Sequence, residues 1–435
     1  MATYLYRTNS TSSNTYTFSA WVKHTNVGIN DFKTMCLFGT EQDVSSTMSF
    51  SISDADKWNV YNGSAHNPSD AVARDPSAWY HVVLKVDNLS GTIYVNGESV
   101  KTGITCKATG TVSNHMVVGG YLASGNEDYF NGYMSHVAFV EGQALNPTVF
   151  GETDSTSGIW KFKSPSGVTW GTNGFHLKFE NSGNLGLDSS GNGNNLTVSG
   201  DLRQALDTPS NNYATFNPID GGLGDSEFTY GNNRFYSNTG SNVVYARSTL
   251  GFTSGKYYAE MKCETAADHN YLGITNRACP STSTYFGDGT YEYGYKSSNG
   301  QLKNNTNQTA YGNTWTTNDI IGIAVDLDNN KLYFSKNGTW QNSGDPTSGS
   351  TGTGAISIAS ASTIAGSYGG DDAYFIVAAD GTSSNAGRYQ MNFGNGYFGT
   401  TAITSAGSNG NGSLFEYDVP SGYYALNTKN INTYG

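Results

Sequence analysis

The stretch "DNNKLYFSKNG", Asp328 to Gly338, decides how the chain is read. It follows the strand end Val325-Asp326-Leu327, turns through Asp and Asn, runs on with aromatic and branched residues, and stops at Asn-Gly. Asn-Gly accepts positive φ at both central positions of a two-residue turn, which makes it the strongest short hairpin signal a sequence carries. Nearly the same phrase, "DNLSGTIYVNG", stands at Asp87 to Gly97, directly after Val86. Little else matches around the two copies. The phrase is therefore read as shared hairpin physics, with Asp and Asn starting and stopping the turn, and not as a binding motif or a tandem repeat. Asn96-Gly97 and Asn337-Gly338 are predicted to be type I′ or closely related turns.

The neighbouring text has the same character. In "WYHVVLKVD" (Trp79 to Asp87), Tyr80, Val82, Leu84 and Val86 share one face, and in "YTFSAWVKH" (Tyr16 to His24) Phe18, Ala20 and Val22 do so. That period of two marks a half-buried strand. Trp21 falls on the other face, where an aromatic covers either the sheet or a ligand, and His81 falls on the outer face of its strand. Charged residues make up only 13%, about half the usual share. Gly, Ser, Thr and Asn replace them, beside 30 Tyr and 20 Phe. Tyr, Phe and Thr suit a pleated surface, Gly and Asn supply turns, and helix formers never accumulate over a helical window. The chain is read as all-β. At 435 residues it is too long for one core. Two antiparallel β-sandwiches of jelly-roll type are expected in tandem, over 1–150 and 221–435, joined by a partly structured connector over 151–220.

Composition excludes several classes of function. With 23 basic against 35 acidic residues the net charge is −12, and no basic stripe is present, so a nucleic-acid partner is not expected. No apolar run approaches the roughly 20 residues needed to span a bilayer, so no membrane insertion is expected. The opening "MATYLYRTNSTSSN" has neither a basic n-region nor an apolar h-region, and no secretion signal is read there. Cys36, Cys106, Cys263 and Cys279 form no CxxC pair. Cys263 and Cys279 would pair only on neighbouring strands, and four free thiols are expected. Asn126, Glu127 and Asp128 are read as a solvated acidic loop, with a hard cation such as calcium as the competing reading. No metal and no cofactor are expected.

Three resemblances follow from these residues. The order "FSAWVK … WYHVVLKVD … GTIYVNGE … YFNGYMSHVAFV" resembles the laminin G-like, concanavalin A-like family over about residues 4 to 150. Its members mostly bind sugars or proteins, and some hydrolyse glycans. The last of these strands reads Ser135-His136 where that family often has an acidic residue, so the family's calcium site is not carried over. Asp319-Ile320-Ile321-Gly322, then Asp326, then Phe334 to Gly338 resemble the SPRY family, whose members bind partners through loops at one end. "DSSGNGNN" (188–195), "DTPSNNYATFNPID" (207–220) and the ending "YDVPSGYYALNTKNI" (417–431) resemble structural proteins of tailed bacteriophages.

No strand carries the alternating carboxylates that a glycan hydrolase needs to aim a pair into one cleft. "EMKCE" (Glu260 to Glu264) comes nearest and is read as structural; no catalytic residue is assigned. Exposed loop aromatics suit flat sugar faces, and Trp58, Tyr61, Tyr285, Phe286 and Tyr291 are the candidates, against the alternative that they close the ends of the sandwiches. The Gly/Ser/Thr-rich stretches 345–372 and 401–413 are candidate reaching loops. The expectation is a non-enzymatic virion protein of the tail or fibre type that binds host-surface polysaccharide or a receptor. It would sit beside other virion proteins as a homo-oligomer, a trimer if a fibre. A capsid-surface or structural component is the alternative, and a glycan depolymerase a third.

Overall fold

A computed structural model describes residues 3–25, 27, 35–40, 47–110, 115–123, 126–220, 226–237, 244–267, 269–278, 285–366, 370–381 and 386–435, without the side chains of 122–127. It is 45% strand and 7% helix, arranged as antiparallel sandwiches. The chain divides into two compact units, one built from 1–204 with 208–210, the other from 205–207 with 211–435.

In the first unit a six-stranded sheet runs Phe175–Leu177, Gly132–Glu141, Tyr16–His24, Tyr80–Asp87, Ser90–Val95 and Glu98–Thr105. The facing sheet runs Thr197–Ser199, Tyr4–Thr8, His115–Val118, Met35–Thr40, Met48–Ile52, Lys57–Tyr61 and His66–Val72. The alternation read from the sequence holds: Phe18, Ala20, Val22, Val82, Leu84 and Val86 all lie in the buried core between the sheets, with Tyr80 against it. Phe18 stacks on Phe38 at 4.6 Å.

The second unit pairs a nine-stranded sheet, centred on Lys256–Thr265, Ile320–Asp326 and Lys331–Lys336, with a six-stranded one centred on Phe375–Asp380 and Asn270–Thr275. Ile321, Ile323, Val325, Leu332 and Phe334 point into its core. The outer face of the larger sheet is covered by the end of the chain: Tyr258, Ala324 and Tyr333 bury against Phe415, Val419, Tyr423 and Ala425.

The expected connector is no separate body. Phe175–Leu177 and Thr197–Ser199 add an edge strand to each sheet of the first unit, whereas Tyr213, Ala214 and Phe216 are buried in the second. The stretch 345–372 also differs from its reading as a reaching loop. Ile356, Ile358 and Ile364 anchor it in the second core, because three branched apolar residues in nine positions gain more by burial than the Gly/Ser/Thr text around them loses.

Both Asn-Gly pairs turn as predicted, with φ of 48° and 87° at Asn96 and Gly97 and of 48° and 78° at Asn337 and Gly338. Each Asn does more than turn. Asn96 Oδ1 accepts the His81 N–H at 2.8 Å, and Asn337 Oδ1 accepts the Ile320 N–H at 2.8 Å. In both cases the Asn N–H returns a bond to the same residue's carbonyl. The glycine is forced as well. A Cβ at Gly97 would stand 2.6 Å from the Trp160 ring, and one at Gly338 would stand 2.6 Å from the Tyr417 ring.

Candidate functional site

The five loop aromatics meet different fates. Trp58 is 0% exposed and sits edge-on to Tyr80 at 5.4 Å. The pleat of Lys57–Tyr61 turns it inward beside Val60, so it is a core residue and not a sugar platform. Phe286 is also buried, packed against Tyr245 and Tyr271 at 5.3 and 5.8 Å. Its loop is drawn inward by Glu292, whose Oε2 accepts the N–H groups of Gly287 and Gly289 at 2.9 and 3.0 Å. Tyr291 is half-buried against the second core. Tyr61 and Tyr285 keep solvent-facing ring surface. Tyr61 lies 4.8 Å from the His66 ring. Tyr285 is 45% exposed, with the Lys303 ammonium 5.0 Å from its ring and that ammonium bridged to Asp288 at 2.6 Å.

The acids nearest to a catalytic pair are committed elsewhere. Glu260 is buried, and its carboxylate accepts the N–H groups of Glu416 and Tyr417, each at 2.8 Å, and the Tyr258 hydroxyl at 3.1 Å. Burial pushes it up to about 7 against the pull of those donors. It thereby clamps the 416–417 segment to the outer face of the sheet. Glu264 takes a bidentate guanidinium from Arg234 at 2.6 and 2.8 Å, which holds it below the ordinary carboxylate range.

Ser19 and His81 form a buried hydroxyl–imidazole pair at 2.9 Å. An indole N–H is only a donor, and Trp160 Nε1 donates to His81 Nδ1 at 3.0 Å. His81 Nδ1 is therefore the acceptor, Nε2 carries the proton, and that nitrogen donates to Ser19. The imidazole has no lone pair to offer the hydroxyl, and burial pushes its pKa down to about 3. The Trp21 and Trp160 rings lie near-parallel to this ring, with centroids 5.0 and 5.9 Å away. Trp21, 3% exposed, thus covers the sheet at His81, and Trp160, from the hairpin Gly151–Thr153 with Trp160–Phe162, meets the same imidazole. Cys36, Cys106 and Cys263 are buried free thiols, and Cys279 lies outside the described residues. Asp128 lies in a strand paired with Gly120–Ala123, the side chains of Asn126 and Glu127 being outside the description. Among the described residues no three His, Cys, Asp or Glu side chains could share a metal ion, and no helix is long and apolar enough to cross a membrane.

One feature escaped the sequence reading. A cleft of 390 Å³ opens in the first unit along 178–189. At its rim Phe179 has φ +60°. A bulky residue in that well is a genuine outlier, costing on the order of 1–3 kcal/mol, and such outliers gather at ligand clamps. Gln204 holds the conformation, its amide donating to the carbonyls of Phe179 and Glu180 at 2.6 and 3.0 Å. The opposite wall is fixed by Asp188, which accepts the N–H groups of His176, Ser190 and Asn194 at 2.8–2.9 Å. The text "ENSGNLGLDSS" announces turns, but nothing in it announces a left-handed Phe.

Two antiparallel sandwiches, the first with a floor of aromatics and the second closed by its own C-terminal segment, define the class. Residues 3–149 match the family model described as the concanavalin A-like lectin/glucanases superfamily (laminin G-like), and residues 256–355 match that of the SPRY domain. The first unit carries a concanavalin A-like domain and the second a SPRY domain. The chain is 39% identical over 93 residues to the ATP-dependent RNA helicase DDX1 of Xenopus laevis, 21% of this chain and 12% of that protein. It is 36% identical over 98 residues to Ran-binding protein 9 of Homo sapiens, 22% of this chain and 13% of that one. Each match thus spans a small part of the relative's length. Among solved structures, a putative carbohydrate binding protein from Bacteroides ovatus aligns with TM-score 0.32 at 20% identity, over 48% of this chain and 60% of that chain. The SPRY domain of human HERC1 aligns with TM-score 0.31 at 14% identity, over 40% and 96%.

Proposed function

We propose that the protein is a non-enzymatic recognition protein of a tailed-phage virion, carried on the tail or a fibre, that binds host-surface glycan or another receptor. The observation that carries the recognition reading is the commitment of the reactive groups. Glu260, Glu264 and the Ser19–His81 pair are each tied into structural bonds, while Tyr61 and Tyr285 and the 178–189 cleft face solvent. The family description over 3–149 names lectins and glucanases, both of which take glycans, and this supports a glycan as the bound partner. The virion assignment rests on the resemblance of 188–195, 207–220 and 417–431 to tailed-phage structural proteins. On that reading the chain would stand among other virion proteins as a homo-oligomer, a trimer in a fibre, with no cofactor.

The test is the labelled full chain on a glycan array, run beside a reducing-end release assay on the same polysaccharides. Binding without release supports recognition, and release overturns it in favour of a depolymerase. A second reading, a capsid-surface or structural component that packs on other virion proteins, is favoured by the edge strand Asn307–Ala310. All four of its side chains are exposed and none is charged, leaving main-chain groups open to pairing. An array without binding, together with antibody labelling of the capsid in electron micrographs of intact particles, would support that second reading.

A further inference from the structure

We propose that the cleft along 178–189 binds a neutral, hydroxyl-rich saccharide, an assignment that rests on the glycan-recognition reading above and locates its site. The cleft lies in the first unit but outside the residues matched by the concanavalin A-like model, which end at 149. Its volume of 390 Å³ stands toward the small end of the roughly 300–1,000 Å³ typical of ligand pockets. The lining has a particular chemistry. Lys178 and Glu180 oppose each other in sign, so the cleft has no net charge to select an ion. The net charge of −12 disfavours anionic polymers at long range.

The remaining polar groups are the amides of Asn181 and Asn184 and two serine hydroxyls. Amides and hydroxyls both donate and accept, which is what neighbouring sugar hydroxyls require of a partner. Phe179 and Leu187, the latter 39% exposed, supply the apolar surface for the C–H face of a ring. The walls are held before any ligand arrives. Gln204 fixes one side and Asp188 the other, and a Cβ at Gly186 would stand 1.8 Å from the Leu196 carbonyl oxygen. A rigid cleft loses little freedom on binding, which matters for a ligand whose individual contacts are weak.

The experiment is affinity electrophoresis of the full chain through native gels containing dextran, mannan, arabinan or, as the anionic comparison, alginate. At least one neutral polymer retards the wild type, and alginate does not. Asn184→Ala with Leu187→Ser weakens that binding by about tenfold, and Ser182→Trp, which fills the cleft, abolishes it. These positions are exposed, so melting temperatures stay at the wild-type value. Retardation that survives both cleft variants overturns the cleft while leaving glycan recognition standing, and its loss in Tyr61→Ala or in Tyr285→Ala instead would move the site to that side chain. Retardation by alginate alone overturns the ligand class. A wild type that neither a neutral polymer nor alginate retards overturns both the cleft and the reading it rests on.

Discussion

Gly338→Ala is the sharpest probe of the hairpin device shared by the two sandwiches. Gly338 has φ +78°, a left-handed conformation that costs an L-residue roughly 1–2 kcal/mol. The new methyl would also stand 2.6 Å from the Tyr417 ring. The Tyr417 backbone N–H is held by Glu260 at 2.8 Å, so relief can come only from turning the ring about its side-chain torsions. Forcing a methyl into such a contact costs a further ~1–3 kcal/mol. Gly422→Ala separates the two terms. Its φ is +84°, and nothing lies within 4 Å of its Cβ position, so it carries the backbone cost alone. Calorimetry of the full chain should show the second unit's transition falling further in Gly338→Ala than in Gly422→Ala. The excess of ~1–3 kcal/mol corresponds to about 2–12 °C at about 2–4 °C per kcal/mol for a unit of this size. In a Tyr417→Ala background the excess should vanish. Equal losses for the two glycines, or an excess that survives removal of the ring, would refute the account of the aromatic lid.

The other predictions are shorter. Trp58→Ala should cost roughly 3–5 kcal/mol, because its indole is fully buried, whereas Tyr61→Ala should change the melting temperature of the first unit little; equal effects on thermal denaturation would mean the two rings have been placed wrongly. His81 is pushed down to about 3 against an unfolded value near 6.5, so its contribution is complete above pH 6.5 and is lost as pH falls toward 3, about 2 kcal/mol of it by pH 5; replacing it by Asn should flatten the first unit's melting profile between pH 7 and 5, and an unchanged slope would count against a neutral buried ring. Glu260 works in the opposite sense: raised to about 7 from 4.5, it weakens the second unit as pH rises through that window by on the order of 1–3 kcal/mol, so the stability difference between wild type and Glu260→Gln should vary with pH there and be constant above it. Fragment 211–435 should melt cooperatively, while 221–435, which lacks the buried Tyr213, Ala214 and Phe216, should melt lower or not fold; equal melting temperatures would restore the boundary at 220.

What the sequence revealed and what it concealed divide along the range of the interactions. Alternation in "WYHVVLKVD" and the Asn-Gly turns are local, since each residue's side or φ depends on its immediate neighbours, and both were legible. Trp58 was not. Its strand alternates as well as the others, but whether Trp58 or Lys57 faces inward depends on the strands at Met48–Ile52 and His66–Val72 that flank it, and the loop-like text around it concealed that partnership. Phe286 is concealed although its anchor is close in sequence, because the Glu292 carboxylate that pulls its loop inward acts through main-chain N–H groups that any sequence possesses.

The connector shows the rule most clearly. Phe175 and Leu177 alternate as strand residues do, yet the pattern does not say which sheet they join. Nor could it say that the alternation breaks at Phe179, where Gln204, 25 residues on, holds the chain in a left-handed turn. That break opens the cleft. A continuing strand would have turned the Phe179 backbone into a ladder and given Lys178 and Glu180 a common outer face, leaving no concave surface between them. The candidate site is thus a product of one long-range amide acting on one local pattern, and the local pattern alone predicts its absence.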